Sequence, residues 1–187
     1  MSKLYFRYGV MGSSKTAELL MTRFRYQETG AKVAVLKPKL DTRDGETTIR
    51  SRIGLSAEAV LFEDFDFAAA RRYDVILVDE AQFLSAKQID MLAKIAVSGN
   101  VPVICYGLRT DFAGHFFEGS QRLFEIADSL TEIKTVCWCG AKALFNARID
   151  EATEEMVTDG DQVCLGTTNY VPLCRKHFLL KMPKGVC

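Results

Sequence analysis

Apolar positions along this chain recur in two alternating rhythms. Short unbroken apolar runs occur at Leu4 to Tyr8, at "KVAVLKP" (Lys32 to Pro38), at "YDVILVDE" (Tyr73 to Glu80) and at "VPVICYG" (Val101 to Gly107). Runs of this length, rich in β-branched residues, predict buried strands. Between them the spacing turns helical. Ala17, Leu19, Leu20, Met21 and Phe24 predict a helix over 16–29 that stops at Gly30. Residues 85–97 predict a second, amphipathic helix with Ser85 as N-cap and Gly99-Asn100 as its end. Alternating strands and helices imply right-handed βαβ units around a parallel sheet. The polar stretch from Lys39 to Ser56 predicts one long mobile loop, and loops of that length usually serve function. Near Thr131 the rhythm gives way to short runs, turns and cysteines. This predicts a main domain over 1–133 and a small second domain over 134–187.

The end of the first predicted strand carries "GVMGSSKT" (Gly9 to Thr16). A strand, a glycine-containing loop and a helix aim backbone N–H groups and a helix N-terminus at an anion. Gly9, Lys15 and Thr16 match the phosphate-loop pattern G-x-x-x-x-G-K-[ST], but Ser14 stands where glycine is usual. Serine is small and its hydroxyl can donate, so the loop is assigned to phosphate with Lys15 on the β- and γ-phosphates and the Thr16 hydroxyl on Mg²⁺. About 65 residues on, "VILVDE" places Asp79 at a strand end, where a carboxylate supports Mg²⁺ beside such a loop. Glu80 follows it and is a candidate general base. Each segment also has a plain structural reading, a turn with a surface lysine and an acidic strand end. Together they point to nucleotide binding.

"CWC" (Cys137 to Cys139) is followed by "CRKH" (Cys174 to His177). Cys137, Cys139, Cys174 and His177 make a Cys₃His set for a closed, structural Zn²⁺. Cys105, Cys164, Cys187 and His115 stand outside that pattern, with His115 expected to be exposed. Charge balances at 24 basic against 24 acidic residues, which argues against a nucleic-acid or membrane binder. No run of 18 apolar residues occurs, and the N-terminus lacks secretory features, so a cytoplasmic protein is expected.

Taken in order, "YFRYGVMGSSKT", "LDTRDG", "SRIGLS", "VDEAQFL", "CYGLRTDFAG", "TVCWCGAKA" and "NYVPLCRKH" resemble the type II thymidine kinases of bacteria and phages, from Leu4 to about Phe178. The resemblance implies a P-loop, RecA-like α/β domain with helices flanking a parallel sheet, and a zinc-bearing lasso domain. It implies transfer of the ATP γ-phosphoryl group to the thymidine 5′-hydroxyl in pyrimidine salvage, a homotetramer, and feedback inhibition by dTTP. Glu80 corresponds to the catalytic base, and Cys137, Cys139, Cys174 and His177 to the zinc ligands. The ATP site would comprise Gly9, Val10, Met11, Gly12, Ser13, Ser14, Lys15, Thr16, Asp79 and Gln82. Substrate contacts would come from Met11, Asp41, Arg43, Phe83, Leu108, Phe112, Phe117, Cys164, Gly166 and Tyr170. Three features depart from the family pattern: Ser14, Cys164 in the lasso, and a lasso about one residue shorter at "LGTTNY". Two other readings are a P-loop ATPase whose zinc ribbon binds nucleic acid and a nucleotide sensor without turnover. Neutral charge opposes the first and Glu80 the second.

Overall fold

The computed structural model describes residues 2–42, 45, 47–163 and 169–184. Strand β1 (Leu4–Gly9) runs through a loop into helix α1 (Lys15–Glu28) and then strand β2 (Val33–Lys37). Strands β3 (Thr48–Arg50), β4 (Ser56–Glu58) and β5 (Val60–Leu61) follow, with two 3₁₀ turns before β6 (Val75–Val78). Next come α2 (Ala86–Lys94), β7 (Val103–Leu108), α3 (Glu118–Ile126) and β8 (Ser129–Glu132). The chain closes with β9 (Phe145–Ile149), β10 (Asn169–Leu173) and α4 (Arg175–Leu179).

Six strands form one sheet in the order β5-β2-β6-β7-β1-β8, and every pairing in it is parallel. The strand runs are apolar without alternation because both faces are covered. Val75, Leu77, Ile104 and Tyr106 face one core with Leu19 and Leu20 of α1. Their neighbours Ile76, Val78, Val103 and Cys105 face the other core with Ile89 and Leu92 of α2 and Leu123 of α3. The α/β expectation therefore holds, with helices on both sides of a parallel sheet.

Local signals are realised at both expected helices. Ser85 accepts from the Gln88 N–H while the Gln88 side chain accepts from the Ser85 N–H, a reciprocal cap. The α-helix ends three residues earlier than the periodicity suggests, and a π-turn over Ile95–Gly99 leads to Asn100 in the left-handed region. The stretch 39–56 needs correcting, because it is not one long loop. Within it β3 pairs antiparallel with β4, Ile49 opposite Ala57, and Ile49 is buried beside Leu19 and Leu20. A single buried apolar residue in a polar segment carries too little periodicity to reveal a strand. Helix α3 is not signalled in the sequence either: "EGSQRLFEI" carries glycine and serine in its first turn, both weaker helix formers than alanine.

β9 and β10 form a separate two-stranded antiparallel sheet. Among the described residues, its own core has Cys137, Ala147, Ile149, Leu173 and Cys174 as buried members. Among the described residues no helix is long and apolar enough to cross a membrane.

Candidate active site

The cleft lies beyond the carboxyl ends of the parallel strands, the place where open α/β sheets leave room for a ligand. β1 delivers the loop from Gly9 to Ser14 there. A Cβ at Gly9 would fall 2.3 Å from Ser13 Oγ and 2.7 Å from the Ile133 carbonyl oxygen. The loop thus folds back only over a residue with no side chain. Ser14 has φ 62° and ψ 29°, in the left-handed region, and its side chain makes no capping hydrogen bond. That conformation explains why glycine is usual at this position and why serine departs from the pattern. Lys15 is buried, and its Nζ donates to the Val10 carbonyl at 2.9 Å.

Helix α1 and strand β6 meet at the next residue. Thr16 Oγ1 donates to Asp79 Oδ2 at 3.0 Å, which joins the two motifs that the sequence places 63 positions apart. Asp79 is buried, and burial together with the neighbouring Glu80 charge pushes its carboxyl up from 3.8 to about 7; the Thr16 hydroxyl and Lys15 act in the opposite sense. A half-buried hydroxyl and a buried carboxylate oxygen side by side form an oxygen donor set that suits Mg²⁺. Glu80 takes φ 49° and ψ 38°, so the backbone turns sharply after the strand. As a result Asp79 and Glu80 line the same cleft, although consecutive residues of a regular strand face apart.

The cleft holds about 530 Å³ and is lined by Met11, Lys15, Thr16, Asp41, Asp79 and Glu80, with the β3–β4 turn from Ile49 to Gly54 as its outer wall. That volume is in the range of small-molecule sites, roughly 300–1,000 Å³. Arg52 faces the phosphate loop: a Cβ at Gly12 would lie 3.9 Å from its guanidinium. Asp41 is held by the fully buried Lys37, whose Nζ sits 3.4 Å from its Oδ2 and donates to the Gly45 and Thr48 carbonyls.

Other residues named from the sequence lie outside this lining. Gln82 is buried behind Glu80. Leu108, Phe112 and Phe117 are buried, and Phe83 meets Phe117 edge-on at 5.7 Å. Tyr170 is half-buried on β10 opposite Arg148. Arg43, Cys164 and Gly166 lie outside the described residues. Two residues of β9 went unnoticed in the sequence. Asn146 Oδ1 accepts from the Met11 N–H at 2.7 Å, while its Nδ2 donates to the Thr110 carbonyl at 2.7 Å. Arg148 stacks over the Phe112 ring at 3.7 Å and donates to the Asp159 and Asp161 carbonyls. Gln162 Nε2 adds a bond to Asp111 Oδ2 at 2.8 Å. These contacts tie the segment before residue 164 to the loop after β7.

The cysteine cluster assembles beside the small sheet. Ligand atoms of Cys137, Cys139, Cys174 and His177 all lie within 4.8 Å of one another. His177 Nδ1 is 3.4 Å from Cys137 Sγ and from Cys174 Sγ, and Cys139 Sγ is 4.0 Å from Cys174 Sγ. A tetrahedron around Zn²⁺ with bonds of roughly 2.0–2.3 Å has edges of this size, so the four residues fit the ion. Cys137 and Cys139 come from a tight turn, whereas Cys174 is the N-cap residue of α4 and His177 lies within it. Trp138 stacks on the His177 ring at 4.1 Å and donates to the Met182 carbonyl. Cys105 is buried in the main core, away from the cluster, and His115 is exposed.

The family model for thymidine kinase matches residues 2–178. The chain belongs to the thymidine kinase family. It is 46% identical over 186 residues to the thymidine kinase of Enterobacteria phage T4, covering 95% of this chain and 96% of that one. The thymidine kinase of Zymomonas mobilis is 43% identical, with 97% of this chain and 98% of the relative covered. That of Legionella pneumophila is 43% identical, covering 95% and 90%. Of the residues missed above, the hairpin wall had a signal in "SRIGLS". For Asn146 the only trace is a polar residue in a run that the structure buries from Asn146 to Ile149.

Proposed function

We propose that the protein transfers the γ-phosphoryl group of ATP to the 5′-hydroxyl of thymidine, giving dTMP and ADP in deoxynucleoside salvage. The observation that carries this reading is the convergence of Lys15, the Thr16–Asp79 pair and Glu80 on one cleft. The phosphate loop binds the triphosphate through its backbone N–H groups and Lys15. Thr16 and Asp79 would hold Mg²⁺, which when bound neutralises phosphate charge. Glu80 accepts the proton of the 5′-hydroxyl as that oxygen bonds to the γ-phosphorus. The bond to the β–γ bridging oxygen breaks and ADP leaves. Positioning supplies most of the rate in such a transfer, and a walled cleft suits that task.

Met11, Asp41, Arg43, Phe83, Leu108, Phe112, Phe117, Cys164, Gly166 and Tyr170 make up the nucleoside side in this reading. A flat thymine ring and its methyl suit aromatic and thioether neighbours. Zn²⁺ on Cys137, Cys139, Cys174 and His177 is structural, since protein fills all four positions. It supports a sheet whose own core is very small. We further infer a division into units 1–133 and 134–187, a homotetramer, inhibition by dTTP and a cytoplasmic location.

A coupled assay of ADP release over a panel of nucleosides tests the reading. Release should require a nucleoside and be fastest with thymidine. ADP release that ignores nucleosides, together with salt-sensitive binding to single-stranded DNA, would favour the nucleic-acid ATPase instead.

A further inference from the structure

Glutamate has three rotatable side-chain bonds, so a glutamate that accepts a proton from a substrate needs something to aim it. Glu80 stands on a sharply turned backbone with φ 49° and ψ 38°. The adjoining turn brings Gln82 back alongside it. Gln82 is 2% exposed, and both ends of its amide are used. Oε1 accepts from the Leu108 N–H at 3.0 Å, and Nε2 donates to Glu80 Oε2 at 2.5 Å. One end of the bridge is therefore anchored in the central sheet and the other grips the carboxylate.

The surroundings hold this bridge rigidly. A Cβ at Gly107 would lie 2.8 Å from Gln82 Oε1 and 3.1 Å from Gln82 N, so the amide occupies space that only glycine leaves open. On the opposite side α3 is pressed against the turn: a Cβ at Gly119 would meet the Ala81 and Leu84 carbonyl oxygens at 2.5 Å. Ser120 Oγ donates to the Leu108 carbonyl at 2.6 Å, so both backbone polar groups of the anchoring residue are bonded to side chains. A buried amide bonded through both its oxygen and its nitrogen between two close-packed elements has little rotamer freedom.

We propose that Gln82 is a positioning residue for Glu80: its amide, anchored on the Leu108 N–H, fixes the direction in which the Glu80 carboxylate meets the substrate hydroxyl. This rests on the reading of Glu80 as the base. It differs from the family-derived placement of Gln82 in the ATP site, because the side chain lies behind the carboxylate and outside the cleft lining. Glutamine suits the task because its amide carries an acceptor oxygen and a donor NH₂ group at the tip of a single side chain. Methionine matches its length and offers neither.

Four proteins test the proposal: wild type, Gln82→Met, Glu80→Gln and the double variant. Misaiming a reacting group by about an ångström costs on the order of 10²-fold, so Gln82→Met should lower kcat at least about 10-fold. KM for ATP and for thymidine should stay within about threefold, as expected when only transition-state alignment is lost. Glu80→Gln should lower kcat by roughly 10²-fold or more. In that background Gln82→Met should add less than about twofold, because residues that act as a unit are not additive.

A rise in ATP KM with kcat unchanged would overturn the proposal and restore Gln82 to the ATP site. An undiminished loss in the Glu80→Gln background would overturn it too, since Gln82 would then act independently of Glu80. Near-normal turnover by Glu80→Gln alone would instead remove Glu80 as the base, and the positioning role with it. Should Gln82→Met fold poorly, Gln82→Leu removes the same amide with a differently shaped apolar side chain and adds no charge beside Glu80. A thermally stable Gln82→Leu with a kcat loss confined to the Glu80-containing protein supports the proposal, and full activity would sink it.

Discussion

The Asn146 side chain pins the phosphate loop to the small sheet: its Oδ1 accepts from the Met11 N–H at 2.7 Å, across 135 positions of sequence. Its Nδ2 donates to the Thr110 carbonyl, so one buried amide holds β9, the loop after β7 and the phosphate loop in register.

Asn146→Ala leaves a loop N–H and a carbonyl without their partner. Each buried group stranded in this way costs about 1–3 kcal/mol, so thermal stability should drop. Affinity for a non-hydrolysable ATP analogue should weaken several-fold while zinc content is retained. Calorimetric titration and elemental analysis check both. Unchanged nucleotide affinity in a destabilised protein would mean that the bridge holds the units together without shaping the loop.

Ser14 sits at φ 62°, where an L residue is disfavoured by roughly 1–2 kcal/mol and glycine loses roughly 0.5–1 kcal/mol of chain entropy. Ser14→Gly should therefore raise stability by up to about 1 kcal/mol and leave kcat/KM for ATP within a few-fold. Ser14→Val should lower both, since a β-branched side chain resists that backbone. Lys15→Ala should be the most damaging to kcat/KM. Steady-state kinetics and thermal unfolding of the four proteins give the order, and a Lys15→Ala enzyme equal to wild type would send the search for the nucleotide site elsewhere.

Zinc should be present at about one ion per chain in protein purified without added metal. Cys174→Ser should lower that stoichiometry and destabilise the β9–β10 sheet, because a bound metal would add stability to its small set of buried residues. Cys105→Ser, altered in the main core, should keep its zinc. Elemental analysis distinguishes them, and a well-folded, zinc-free wild type would contradict the assignment.

Asp79 makes the metal-free protein sensitive to pH. Its carboxyl is raised to about 7, first by burial and then by Glu80. A group whose folded value exceeds its unfolded value, about 3.9 for Asp, contributes stability fully present below that value. The contribution is lost as pH rises through about 7. Stability of the metal-free protein should thus decline between about pH 4 and 7 on account of this residue. Asp79→Asn should flatten the decline, and Mg²⁺ should offset it at higher pH. Chemical denaturation across that range gives the slope, and an Asp79→Asn profile parallel to wild type would rule out Asp79 as its source.

The alternation of strand and helix, the loop from Gly9 to Thr16, the strand-end carboxylates and the Cys₃His cluster could all be read before any coordinates. Each depends on residues a few positions apart, where backbone geometry alone imposes a period of two or 3.6 and a motif keeps its shape. Val75 to Val78 reads as a doubly buried strand because every position is apolar, and both cores then claim alternate side chains. The hairpin of β3 and β4 escaped because only Ile49 of β3 is buried, too little to set a rhythm. Gln82, Lys37 and Asn146 are polar residues whose roles exist only once distant backbone groups arrive beside them: Leu108 for the first, Gly45 and Thr48 for the second, Met11 and Thr110 for the third. A buried amide or ammonium has no pattern of its own along the chain. Its value is set by the desolvated partners it satisfies, and those partners are chosen by the packing of the whole molecule.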